Sequence, residues 1–304
     1  MSEPIVRARG VVKRWGATTA LAGVDADIGA GVTGLLGANG AGKTTFLGLI
    51  LGLHHQDDGS LDVLGLDPMS AGPAVRARLG YAPEHDALPG DVKAHDLVRH
   101  IAEVHGLPRK EAVGRASDAL WHVGLGEERF RPVGTMSTGQ KQRVKLASAM
   151  AHDPALLLLD EPTNGLDPMQ RDSMLTLIRR IGTEFGIAVI LSSHLLEEVE
   201  RVCDAVVILS GGTVTAAGSL DELRGGGGGA FVVEPDGRVE DLAVALRGEG
   251  LEVEVTGLRL MVTGDEDAVV DAVRDACASM AIGIRRLQRR TATLEDVFLA
   301  GTSA

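Results

Sequence analysis

The run Gly37-Ala38-Asn39-Gly40-Ala41-Gly42-Lys43-Thr44 fits G-x-x-x-x-G-K-[ST], a spacing that builds a cradle for phosphate groups. Glycines let the backbone curl so that successive N–H groups point inward, and a helix starting at the lysine adds the positive end of its dipole. In such a loop, continued here to Thr45, Lys43 reaches the β and γ phosphates of ATP and the Thr44 hydroxyl can ligate Mg²⁺. The apolar stretch Ala155 to Leu159 runs into Asp160-Glu161 and so delivers two carboxylates to the C-terminal end of a strand, where ligands bind in open parallel sheets. Asp160 would hold Mg²⁺, usually through water, and Glu161 would act as general base on an attacking water. Standing alone, the same pair could equally cap a helix. The phosphate loop upstream favours catalysis.

Three further segments follow in a specific order: Met136-Ser137-Thr138-Gly139-Gln140 ahead of a helix, Asn164-Gly165-Leu166-Asp167 just after Glu161-Pro162-Thr163, and Ser193-His194 at the end of an apolar strand. Together with the loop and the carboxylates, these motifs resemble the ATP-binding cassette (ABC) family over nearly all of Ile5 to Leu223. The first segment is similar to the family signature LSGGQ and departs from it at Met136 and Thr138. The resemblance implies that Ser137, Gly139 and Gln140, with Asp167 of the D-loop-like segment, act in trans on ATP held by the opposite subunit of a head-to-tail homodimer. It implies that His194 is the switch histidine that contacts the γ-phosphate, and that Trp15 stacks on adenine, although an indole there could also belong to a core. Glu84, in Gly80-Tyr81-Ala82-Pro83-Glu84, stands where most members carry glutamine. As a carboxylate it can still ligate Mg²⁺ and accept from water, while adding negative charge beside Asp160 and Glu161.

The segment Thr293-Leu294-Glu295-Asp296-Val297-Phe298-Leu299 resembles the ending of the daunorubicin-resistance-type, or type-2 exporter, ATPases. That resemblance implies export rather than import, and a separate integral-membrane permease whose cytoplasmic helix docks near the segment after Glu84. The chain would then be peripheral on the inner, cytoplasmic face of the cell membrane. An ABC ATPase acting on ribosomes or DNA is the alternative. Ribosomal members usually carry two cassettes and DNA-repair members long coiled coils, whereas this chain has one cassette and no long heptads. A small-molecule kinase would leave the signature-like and D-loop-like segments unexplained.

The elements that must position these residues read as an α/β chain. Alternating stretches at Ile5 to Lys13 and Leu21 to Ile28 predict an N-terminal antiparallel β subdomain, and Val32 to Leu36 a buried strand feeding the loop. From Val92 to Ala151 the periodicity is helical, with Leu97, Ile101 and Val104 on one face, and Ala112, Ala116, Ala119, Leu120 and Val123 on another. This predicts a helical insertion over about 85–152. Strand signals at Ala155 to Asp160, Ile187 to Ser192 and Ala205 to Leu209, with helices at Met169 to Ile181 and Leu195 to Val202, close a P-loop ATPase core with a mixed sheet. Gly225 to Gly229 reads as a linker between a nucleotide-binding domain over 1–224 and a second domain over 230–304. The latter shows the order β-α-β-β-α-β of a small ferredoxin-like α+β domain with no catalytic motif, so that binding, regulation or dimerisation is expected of it.

Composition bounds the remainder. The formal net charge of -12 argues against nucleic acid or an anionic lipid surface as a partner, since both reward basic patches. The longest apolar runs fall far short of the roughly 18 residues of a membrane span, and Met1 to Arg9 has no signal-peptide core. Cys203 and Cys277 lack the spacing of a disulfide framework or a zinc site, which fits a reducing compartment. His54, His55, His95, His100 and His105 lack metal-ligand spacing and are read as solvated.

Overall fold

The computed structural model describes residues 3–85, 88–225 and 230–290; the glycines 226–229 and the segment Thr293-Leu299 lie outside the described residues. The backbone divides into two units, Met1–Gly218 and Ser219–Ala304, each with its own apolar core.

In the first unit, β1 (Val6–Trp15) and β2 (Thr18–Ile28) form an antiparallel hairpin paired from Val6↔Ile28 to Trp15↔Thr18, with register shifts between Ala8 and Val11, Val11 and Val12, and Lys13 and Arg14. Then β3 (Val32–Leu36), buried along its whole length, leads through the glycine loop into α1 (Lys43–Ile50). Strand β4 (Asp58–Val63) completes a three-stranded sheet in the order β2-β1-β4. Its sequence, DGSLDV, hides this role because only Leu61 and Val63 face the core. Beyond its first turn, where Thr44 is exposed and Thr45 half-buried, helix α1 is enclosed: Phe46, Leu47, Leu49 and Ile50 are fully buried between the antiparallel sheet and one face of a larger sheet. Gly42 precedes α1 at φ +108°, and a Cβ there would lie 2.7 Å from the Ala20 carbonyl oxygen, so only glycine lets loop and β2 approach this closely.

After α2 (Gly72–Arg76) and β5 (Leu79–Ala82) comes the helical insertion: α3 (Ala94–Val104), α4 (Arg109–His122) and α5 (Thr138–Met150). The face expected of α4 is buried throughout, but in α3 Val104 is 68% exposed. The apolar stripe of α3 passes through Leu97 and Ile101 and reaches His105 at the next four-residue step instead. His105 therefore is not solvated: its ring stacks on that of His152 at 3.6 Å, and burial lowers both imidazoles, His152 to about 4. His54 and His95 are likewise half-buried, edge-on to Trp15 and beside Phe130, whereas His55 and His100 are exposed as expected. The unit closes with β6 (Leu156–Asp160), α6 (Pro168–Glu184), β7 (Ala188–Ser193), α7 (Leu196–Val202), β8 (Ala205–Ser210) and β9 (Thr213–Ser219). The large sheet runs β5-β6-β7-β3-β8-β9; β5, β6, β7, β3 and β8 are mutually parallel, and β9 returns from β8 across the two-residue turn Gly211-Gly212.

The second unit opens with α8 (Leu220–Gly225). Gly225, expected in the linker, is the last residue of this helix, whose amino end is closed by a capping box in which the Ser219 and Glu222 backbone N–H groups each donate to the other's side chain. Strands β10 (Ala230–Pro235), β11 (Glu252–Thr256), β12 (Arg259–Thr263) and β13 (Ile284–Arg290) form an antiparallel sheet in the order β11-β12-β10-β13, with α9 (Val239–Gly248) and α10 (Glu266–Met280) as crossovers. This is the ferredoxin-like arrangement.

Phe46→Ala is expected to destabilise the first unit by about 3–5 kcal/mol, the range for emptying a buried aromatic site. Val104→Ala is expected to change stability by less than about 0.5 kcal/mol. Guanidinium unfolding curves of both variants check the pair; equal effects would mean α1 is not the packed centre.

Candidate functional site

The carboxyl ends of β3, β6 and β7 lie side by side, with Leu36 paired to Ser193 and Asp160 to Ser192. Neighbouring parallel strands thus bring the phosphate loop, Asp160-Glu161 and Ser193-His194 together. Ala38, Asn39, Gly40, Gly42, Lys43, Thr44, Thr45, Glu84 and Glu161, with Ala20, line one cavity of about 340 Å³. Gly37 and Ala41 sit behind it as buried parts of the loop, where the Ala41 N–H donates to the Ala38 carbonyl.

Lys43 is 6% exposed and its ammonium donates to the Gly37 carbonyl oxygen at 2.7 Å. The same ammonium lies 3.2 Å from Glu161 Oε1. The other carboxylate oxygen, Oε2, lies 2.9 Å from His194 Nδ1. Glu161 is therefore fixed at both oxygens, on a backbone at φ +49°, a left-handed conformation that costs a non-glycine residue roughly 1–3 kcal/mol.

Asp160 is 2% exposed. It accepts from Ser192 Oγ at 2.6 Å and from Thr44 Oγ1 at 3.2 Å. Burial raises its pKa above the usual carboxylate range; those two hydrogen bonds oppose the shift, and the charges of Glu84 and Glu161 reinforce it. The Ser192 hydroxyl also accepts from the Glu161 N–H at 2.9 Å, so one side chain orients both acidic residues. Sequence reasoning missed it because a serine inside an apolar strand carries no spacing signal. Burial, with help from Asp160 and Glu84, pushes the Tyr81 phenol up to about 12.

Glu84 reaches the cavity from beyond β5. Its Oε1 accepts from Asn164 Nδ2 at 3.0 Å, and Lys145 of α5 donates to the carbonyls of Pro83 and Glu84 at 2.9 and 3.0 Å. The turn holding His194 is braced from below: Ser193 Oγ donates to Glu198 Oε2 at 2.7 Å, and Arg171 of α6 lies 3.4 Å from the other oxygen of that 2% exposed carboxylate.

Four of the residues anticipated in trans lie elsewhere. Ser137 caps α5 in a capping box with Gln140, each N–H donating to the other side chain, and Asp167 caps α6 by accepting from the Gln170 N–H at 2.8 Å. Ser137, Gly139 and Gln140 border a separate hollow with Leu166 and Gln170, away from the loop cavity of the same chain. Trp15, 46% exposed, stands at the end of β1 with the Lys13 ammonium 4.7 Å from its ring centroid and does not line the loop cavity.

Among the described residues no three His, Cys, Asp or Glu side chains converge as metal ligands. The Thr44 hydroxyl and the Asp160 and Glu84 carboxylates offer hard oxygens beside the phosphate cradle, a donor set that suits Mg²⁺, which takes one or two carboxylates and completes its shell with water and substrate phosphates.

A model of the ABC transporter family matches residues 21–164. The linearmycin resistance ATP-binding protein of Bacillus subtilis is 32% identical over 303 residues, covering 97% of each chain. The daunorubicin resistance ATP-binding protein of Streptomyces coeruleorubidus is 32% identical over 306 residues, covering 98% of this chain and 96% of its own. The methionine import ATP-binding protein of Brucella abortus is 34% identical over 225 residues, covering 72% of this chain and 61% of its own. The structure of CbiO1 from Clostridium perfringens, part of the ABC transporter complex CbiONQ, superposes with a TM-score of 0.68 at 28% identity over 73% of this chain and 91% of that one.

Because burial raises the Asp160 pKa, its charged form opposes folding at neutral pH, and this penalty fades as pH falls through the raised folded value and vanishes below the unfolded value near about 3.9. Asp160→Asn is therefore expected to raise the thermal midpoint of the nucleotide-free protein at pH 7, with a gain that shrinks toward pH 4. A gain independent of pH, or a loss at pH 7, would contradict this electrostatic account.

Proposed function

This chain belongs to the ABC transporter family as an ATP-binding, ATP-hydrolysing subunit, and from that premise we propose that it drives export through a separate membrane permease by nucleotide-dependent closure of a dimer. The observation that carries the catalytic reading is Glu161, whose carboxylate is held in the loop cavity between the Lys43 ammonium and the His194 imidazole. A water beside the γ-phosphate gives its proton to Glu161 as its oxygen bonds to phosphorus. The bridging P–O bond then breaks and leaves ADP and inorganic phosphate. His194 orients Glu161 and contacts the γ-phosphate, while Lys43 and the N–H groups of the loop and α1 hold the phosphate chain. Mg²⁺, held by Thr44, Asp160 and Glu84, would neutralise charge on the phosphate oxygens. The exposed Trp15 ring supplies a surface for adenine.

Separation of the loop cavity from the hollow bordered by Ser137, Gly139 and Gln140 supports a composite site. In a head-to-tail homodimer, the amino end of α5 from one copy would face the γ-phosphate on the other, with Asp167 crossing between them. Export is supported by the resistance proteins, which match the chain through its C-terminal unit, whereas the import protein matches only 72% of it. No described helix is long and apolar enough to cross a membrane. In this reading the membrane path belongs to the permease and the subunit works at the inner face.

Glu161→Gln is expected to retain ATP binding while hydrolysis falls by roughly 100-fold or more, the contribution of a general base. With Mg-ATP the variant should accumulate as a dimer in sedimentation velocity. Turnover close to that of the unsubstituted protein would remove Glu161 from this role.

A further inference from the structure

The C-terminal unit uses one face of its sheet for its own core. Helices α9 and α10 bury Phe231, Val233, Leu260 and Val262 on that face. By the two-residue period of a strand, the intervening residues point the other way, where neither helix covers them. Register sets them in cross-strand rows: Glu254–Met261–Val232–Gln288, and beside it Thr256–Arg259–Glu234–Arg286. Val232 and Met261 are half-buried at the centre of the face. Arg259 Nε lies 2.6 Å from Glu234 Oε1, and Arg286 lies 4.0 Å from the same oxygen. The β11 edge of this face carries Glu252 and Glu254, while the β13 edge carries Arg286 and Gln288. Charge therefore changes sign across the sheet, around an apolar middle.

That gradient is self-complementary in one arrangement only. Two such faces can pack about a two-fold axis lying in the sheet plane, either along the strands or across them. An axis across the strands sets β11 on β11, with Glu254 against Glu254, and like charges in contact oppose association. An axis along the strands sets β11 on β13 and β12 on β10. It then brings Met261 onto Val232 and Arg259 onto Glu234 of the other copy, and the acidic edge onto the basic one. We propose that this face, which α9 and α10 leave uncovered, joins two copies of the chain, independently of nucleotide, about a two-fold axis running along the strands. The face is roughly 19 by 17 Å from strand spacing and rise. That puts the buried area at roughly 1,000 Å² or less in total, below the standard interface and in the class of weak, reversible contacts. Such a contact keeps two cassettes together while their nucleotide sites are open.

The test is made on the full chain without nucleotide. Sedimentation velocity at increasing concentration is expected to show a reversible monomer–dimer equilibrium, weakened about tenfold or more by Met261→Arg at the centre of the face. Glu254→Arg, at the exposed edge where folding is indifferent to it, is expected to weaken the dimer as well. An equimolar mixture of Met261→Cys and Val232→Cys proteins should form a disulfide-linked dimer on oxidation. A crosslink in Met261→Cys alone would select the other axis and overturn the arrangement. A nucleotide-free protein that stays monomeric, or a dimer indifferent to both charge-altering variants, would overturn the proposal outright. Met261→Arg leaves the cassette untouched, so the ATP-bound dimer trapped by Glu161→Gln should persist when the two substitutions are combined. Loss of only the trapped dimer would count against the composite site and leave the sheet contact standing.

Discussion

A buried ammonium set against two buried carboxylates governs this protein. Lys43, Asp160 and Glu161 are all less than a tenth exposed, where an unpaired charge is costly and a pair is retained only if its remaining polar atoms are satisfied. The first unit is arranged around that demand. The parallel strands end together so that Ser192 of β7 donates to Asp160 and accepts from the Glu161 backbone. Burial of Phe46, Leu47, Leu49 and Ile50 fixes α1 and so the position of Lys43 at its start, and the turn after β7 brings His194 to the second oxygen of Glu161. On the proposed reading, a triphosphate entering the cradle would compete with Glu161 for Lys43. The exchange would leave Glu161 bound through His194 and available to water, so that substrate binding would itself prepare the base.

The same electrostatics support the proposal of a site shared between two copies. Negative charge is already crowded at the strand ends, where Glu84 and Glu161 add to the burial that raises Asp160, and Asp160 and Glu84 add to the burial that raises Tyr81. Phosphates would add to it, and Lys43 and the dipole of α1 are the positive contributions at the loop itself. A second helix N-terminus, that of α5 capped at Ser137, is an anion-binding element that its own chain turns away from the loop cavity. Placing it over the phosphates of another copy would supply the missing positive potential. Closing and hydrolysis are then coupled, since cleavage of the γ-phosphate removes the charge that α5 would hold.

What could be read from sequence followed the range of the interaction concerned. The phosphate loop is local, with its glycines and lysine set by consecutive backbone angles, and the apolar run before Asp160 announces a buried strand. Contacts that depend on long-range register left no such trace. Asn164 finds Glu84 across a separation of 80 residues, and the role of Ser192 follows only from its pairing beside Asp160. Strands β4 and β9 escaped because polar or small residues dominate them, and β5 because it has only 4 residues. His105 was read as solvated from spacing to other histidines, although spacing to Leu97 and Ile101 places it on the apolar stripe. Ser137, Gln140 and Asp167 carry a second, purely local role as helix caps, which their residue types alone would have given.

A protein whose working contact is made and broken with each nucleotide has a kinetic difficulty that the second unit can relieve. In the proposed cycle, hydrolysis would remove the attraction between α5 and the opposite phosphates, and cassettes not seated on the permease would have to find one another again by diffusion. A contact of only micromolar strength elsewhere in the chain converts that search into an intramolecular one, with effective concentrations in the millimolar range for short connections. Weakness is then an advantage, because a tight interface would resist the rearrangement that closure requires. The open sheet face fits this requirement: two half-buried apolar residues at its centre and a sign change of charge across it specify orientation more than affinity.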